Sequence, residues 1–113
     1  MTSSPESTTE AVVEAPDDLV RTAIARRRCI VAVYNRTQVK LAPHALYTKH
    51  GEPFVDAVTV ERDGAKPKEI KLGAFKLSGL TGVGLTTRLF SPRPDFDQSA
   101  PRYEEQLLCA ISA

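Results

Sequence analysis

Apolar residues recur along this chain with two different periods, and the change from one to the other marks where a helix gives way to strands. Leu19, Ala23 and Ile24 repeat at helical spacing with Val20 beside them, so one face of the segment is apolar. Pro16-Asp17-Asp18 in front suits a first helical turn, where amide donors are unpaired and the dipole is positive. Arg26-Arg27-Arg28 closes the segment, and the pattern predicts a helix over residues 17–28. From Cys29 the residues turn β-branched and aromatic, in runs broken by turn residues. Cys29 to Tyr34 is apolar on both faces, Gln38 to Tyr47 begins as a half-buried alternation of Val39 and Leu41 with Gln38 and Lys40, and Phe54 to Val60 follows a break at His50-Gly51-Glu52-Pro53. Pro43 cannot donate to a ladder and belongs at a bend or an edge. The face of the third run that carries Asp56 is otherwise apolar, so this carboxylate reaches the rim or needs a partner.

The fourth run, Lys68 to Leu77, breaks its own period. Ile70 and Leu72 share one parity and Phe75 and Leu77 the other, which predicts a β-bulge near Gly73-Ala74 and a strongly curved ribbon. A fifth strand is expected from Leu85 to Phe90. Ser91 to Pro101 holds three prolines and reads as an extended loop pinned by Phe96. Tyr103 to Ile111 fits either a short helix at Glu104-Glu105-Gln106 or a strand at Leu107 to Ile111, and the strand is preferred. The whole is mainly β with one N-terminal helix, and the curvature points to a small five-stranded barrel.

Length and charge narrow the picture. With 113 residues, 42% hydrophobic and 26% charged, the chain has room for one domain with a modest core. Residues 16–113 are expected to form it, after a polar tail over 1–15 rich in Ser, Thr, Glu and Pro that reads as disordered. Fifteen basic against fourteen acidic residues leave a net charge of +1, too little to attract nucleic acid by the overall field. The first eighteen residues hold five acids and no base, however, so the rest carries a local cationic excess. Met1 to Ala15 lacks the basic and apolar regions of a secretory signal, and no apolar run approaches the ~20 residues of a membrane span. A cytoplasmic location with no membrane association follows as the expectation.

Candidate chemistry is sparse. Cys29 and Cys109 sit in apolar surroundings and read as buried free thiols, and with His44 and His50 they lack zinc-ligand spacing. Gly79, Gly82 and Gly84 do not form a dinucleotide fingerprint. No nucleophile, base and orienting group can be picked out, so neither an enzyme nor a cofactor is expected. The arginine triplet reads either as cations at a helix C-terminus or as a phosphate-contacting edge.

Ala23-Ile24 with Arg26 to Arg28, an apolar strand ending in Tyr34, Pro43-His44-Ala45-Leu46, Gly51, the trio Ile70, Leu72 and Phe75, then Leu85-Thr86 and Phe90 together resemble a WYL domain over Leu19 to Phe90. That resemblance implies an Sm-like or SH3-like barrel behind a helix, usually attached to a helix-turn-helix in bacterial transcription regulators and sensing a ligand, with nucleotides or nucleic acid the favoured class. The naming triplet stands here as Pro53-Phe54-Val55, the arginine before the last member of the trio as Ala74, the one upstream as Lys68 or Glu69, and no helix-turn-helix precedes Leu19. What the chain retains is a cationic and aromatic set of Tyr34, Arg36, Lys40, His44, Lys68 and Lys71, of the kind that binds a nucleotide or a short single strand by stacking and charge. A second expectation is a protein-interaction or oligomerisation module that uses the edge strands of an Sm-like barrel.

Overall fold

The computed structural model describes residues 15–111; the tail expected over residues 1–15 lies, but for Ala15, outside them. The helix α1 (Pro16–Arg26) starts with proline in its first turn and Asp17 and Asp18 beside it, and buries Val20, Ala23 and Ile24. It stops at Arg26, two residues before the expected end, because Arg27 takes a left-handed conformation, φ 55°, and its N–H returns to the carbonyls of Ala23 and Ile24. Arg28 then opens the sheet.

Six antiparallel strands follow: β1 (Arg28–Tyr34), β2 (Thr37–Lys49), β3 (Glu52–Arg62), β4 (Leu72–Lys76), β5 (Thr81–Leu89) and β6 (Gln106–Ala110). Among the described residues the fold is thus mainly β with one helix in front, as the pattern predicts, and the strand beyond the five of the expected barrel is the one preferred for the last segment. The strand order is β4-β3-β2-β1-β5, and β6 pairs with β2 beside β1. A single 3-10 turn, Leu77–Gly79, links β4 to β5. Among the described residues no ladder joins these two strands, so the sheet curls without closing into a barrel.

Two tight turns build the meander. Asn35 and Arg36 both sit at positive φ, 51° and 62°, between β1 and β2, and His50 and Gly51 repeat this at 54° and 75° between β2 and β3. Paired left-handed residues match the twist of the strands they join. At the second turn the Glu105 carboxylate accepts the N–H groups of both His50 and Gly51, at 2.9 and 3.0 Å. The bond from Gly51 first, then one from the Thr48 side chain and the one from His50, hold the Glu105 carboxyl below its ordinary range.

The bulge expected in the fourth strand is absent. β4 pairs with β3 in unbroken register from Phe54↔Lys76 to Val58↔Leu72, so nothing is inserted at Gly73-Ala74. The parity argument there fails because Ile70 precedes the strand and is 55% exposed rather than part of the core. The β2–β3 ladder instead has two irregularities: Val60 is extra on β3 between Thr59 and Glu61, and His44 is extra on β2, since Pro43 pairs with Ala57 and Ala45 with Asp56. The insertion at His44 flips which residues face inward. Val39 and Leu41 before it, and Leu46 after it, belong to the main core with Val20, Ala23, Ile24, Ile30, Ala32, Val55 and Phe75. Ala45 and Tyr47 turn to the other face, where Phe54, Phe96, Ala100, Tyr103 and Leu107 cover them. β2 is consequently buried without interruption from Leu41 to Tyr47.

The segment between β5 and β6 provides that cover. Phe96 packs against both cores, as expected of a pinned loop, and the strand preferred for the last segment is β6. Both cysteines are free, with Cys29 buried and Cys109 half-buried. Among the described residues no helix is long and apolar enough to cross a membrane.

Candidate functional site

The six residues singled out for a basic and aromatic groove do not converge. Tyr34 alternates with Ile30 and Ala32 on the inner face of β1, packs on the main core, and meets Phe75 edge-on at 5.1 Å. Lys40 pairs with Val31 and looks out from the opposite face, where its ammonium lies 3.7 Å from Glu61. That carboxylate also holds Arg88 at 2.8 Å. Arg36 is at the tip of the first turn. Lys68 and Lys71 are exposed in the approach to β4, and Lys71 is 3.7 Å from Glu69. Beside Lys40 there is a shallow depression of about 200 Å³ lined by Val31, Gln38, Val39, Glu61 and Gly64, to which none of the other five contributes.

His44 is 1% exposed, and both its ring nitrogens are engaged by backbone. Nδ1 lies 2.9 Å from the carbonyl of Ala42, which can only accept, so Nδ1 carries the proton. Nε2 accepts the N–H of Arg93 at 3.1 Å. The ring packs between Phe90 and Phe96, with centroids 5.3 and 5.5 Å away. Burial, the largest influence, pushes its pKa below the ordinary value for histidine. A neutral imidazole with both nitrogens engaged is a structural group.

Asp56, the carboxylate in need of a partner, has three. Oδ1 accepts the Tyr47 hydroxyl at 2.7 Å, and Oδ2 accepts the Tyr103 hydroxyl at 2.6 Å and the Arg102 Nε at 3.0 Å. Arg102 also lies over the Tyr103 ring, 5.2 Å from its centre. Burial, helped by the nearby carboxylate, raises both phenols, Tyr103 to about 12 and Tyr47 further. This cluster ties the loop before β6 to β3. Among the described residues no group of three or more His, Cys, Asp or Glu is arranged to hold a metal.

Two of the three arginines line a concave site. Arg26 and Arg27 at the end of α1, with Leu89, Phe90 and Ser91 at the end of β5, line a cleft of about 360 Å³. The two chain segments are fixed to each other by the Phe90 N–H, which donates to the Arg27 carbonyl at 3.0 Å. The cleft reaches the size range of small-ligand sites, and its lining mixes guanidinium with apolar surface. Leu89 is 68% exposed, the most exposed large apolar residue among those described. Among the described residues that line it, none is acidic. The sequence held half of this site: Arg26 and Arg27 stood out as a possible phosphate-contacting edge. Leu89 and Phe90 gave no such signal, because their approach to the arginines depends on β5 pairing with β1, through Arg28↔Leu89.

No family model matches the chain, and neither a curated protein nor a solved structure shows significant similarity to it.

Proposed function

We propose that this domain is a non-enzymatic binding module, used as a WYL-like sensor is, that takes a nucleotide or a short single-stranded nucleic acid in the cleft between α1 and the end of β5. The observation that carries the reading is the pairing of Arg26 and Arg27 with Phe90 and the bare Leu89 around one opening. Guanidinium groups bind a phosphate through paired, parallel hydrogen bonds, and an apolar or aromatic surface beside them gives a base something to lie on. The binding centre thereby moves away from Tyr34, Lys40 and His44, and the missing family arginine at Ala74 ceases to matter.

Titration of the labelled protein with the dinucleoside phosphate TpT, followed by NMR, tests this. The amides of Arg26, Arg27 and Phe90 to Ser91 should shift together, and Arg26→Glu should weaken binding about tenfold or more and reduce its salt dependence by about one counterion. Arg36→Glu and Lys40→Glu should change little. Cleft amides that stay unmoved while Tyr34, Arg36 and Lys40 respond would return the site to the groove expected from the sequence.

An interaction module is the second reading, favoured by the free edge of β4. That edge is short but regular, whereas β5 is disrupted by two register shifts and is a poorer template for strand addition. Light scattering that finds only monomer at high concentration, with no change on Ala74→Pro, would remove it.

A further inference from the structure

The cleft and the buried histidine share a wall. Phe90 lines the cleft on one side and packs its ring 5.3 Å from that of His44 on the other. Ser91 follows it in the lining, and two residues later the Arg93 N–H donates to His44 Nε2 at 3.1 Å. The stretch from Phe90 to Arg93 is therefore fixed at one end to the Arg27 carbonyl and at the other to a single imidazole lone pair.

A second proton on this ring has only one place to go. Nδ1 already donates to Ala42, so protonation converts Nε2 from an acceptor into a donor that faces another donor. The charged groups around the ring are few and committed. From the loop, Arg93 is forked on Asp95 at 2.8 and 3.1 Å; from β3, Asp56 is held by Tyr47, Tyr103 and Arg102. Neither carboxylate is spare to receive an imidazolium, and Phe90 and Phe96 fill the rest of the surroundings.

We infer that His44 is a proton-operated clasp on the cleft: the neutral ring holds the wall from Phe90 to Arg93 in place, and the protonated ring releases it and weakens the ligand's hold. The inference rests on the reading of the cleft as a nucleotide site, since it names the regulation of that site. Binding and protonation then oppose each other, and by linkage a bound ligand makes His44 harder to protonate.

TpT suits the test because its phosphodiester keeps one charge between pH 5 and 8, the range in which a histidine changes state. Its dissociation constant for the wild-type protein should rise as the pH falls from 7.5 to 5.0, most steeply at the acid end and by no more than about tenfold per pH unit. His44→Gln offers Arg93 an acceptor that does not titrate, and should bind with little change over the same range. Equal pH dependence in wild type and His44→Gln would overturn the proposal. Hydrogen exchange of the Arg93 amide in the unliganded wild-type protein decides the matter without the variant or the ligand. Protection lost in step with protonation of the His44 ring supports the clasp; protection that persists once the ring is charged refutes it. Failure of TpT to bind at pH 7.5 would sink the nucleotide reading alone, leaving the clasp to be judged on that amide.

Discussion

Asp56 and Glu61 occupy the same strand and the same face of the sheet, and each carboxylate is shared among several partners, yet they do different work. Glu61 meets Lys40 and Arg88 with its side chain 32% exposed, whereas Asp56 meets two phenols and a guanidinium with only 2% exposed. Water competes for every contact of the first and for almost none of the second. Partner count therefore says little about strength; what matters is what happens to the partners when the carboxylate is taken away. Lys40 and Arg88 would turn to solvent, while the Tyr47 and Tyr103 hydroxyls would be left as buried donors.

Replacing Asp56 should show the larger effect by far. Asp56→Ala strands two buried hydroxyls and frees Arg102, and should cost about 3–5 kcal/mol in urea unfolding. A loss below about 1 kcal/mol would erase the distinction between the two carboxylates. Alkaline pH probes the same cluster from the other side. Tyr103 is held up to about 12 against an ordinary 10, so between those values the unfolded chain gives up a proton that the folded one keeps. Stability should be complete below pH 10 and fall as pH rises towards 12, by on the order of 2–3 kcal/mol. Tyr103→Phe should make that decline shallower and cost about 1.5–3 kcal/mol at neutral pH, the value of one bond to a charged acceptor. Acid works through His44, whose pKa in the folded protein lies below the unfolded value. The unfolded chain binds the proton more readily, so stability should be full above about pH 6.5 and decline as pH falls below it. Glu61→Gln should be the mildest change, within about 1 kcal/mol, and its effect should vanish in high salt.

How far the sequence foretold this contrast follows from the range over which each pattern acts. The need of Asp56 for a partner was legible, because its neighbours on the same face are apolar. Its partners were not, since Tyr103 and Arg102 arrive from a loop whose path no local period records. The helix, the first three strands and the pinning by Phe96 were legible for the same local reason. The bulge expected in the fourth strand was wrong, because Ile70 imitated a change of parity before β4 by being apolar and exposed; the insertion at His44 in β2 was not foreseen, since Pro43 hid it. The cationic groove failed as an assembled site because alternation puts Tyr34 and Lys40 on opposite faces of one hairpin. Those two residues were judged by type when the period of two already separated them.

The pairing of β6 with the far half of β2 carries a consequence for the order of assembly. Thr48 finds Gln106, and Ala45 finds Ala110, only after most of the chain has been made. During synthesis that margin of β2 is an open template, available to any extended peptide nearby, until residues 106–110 leave the ribosome and cover it. Closure of the sheet is a late event set by contacts distant in sequence, and such contacts fold slowly. A nascent chain halted before Gln106 should accordingly be the species most in need of a chaperone.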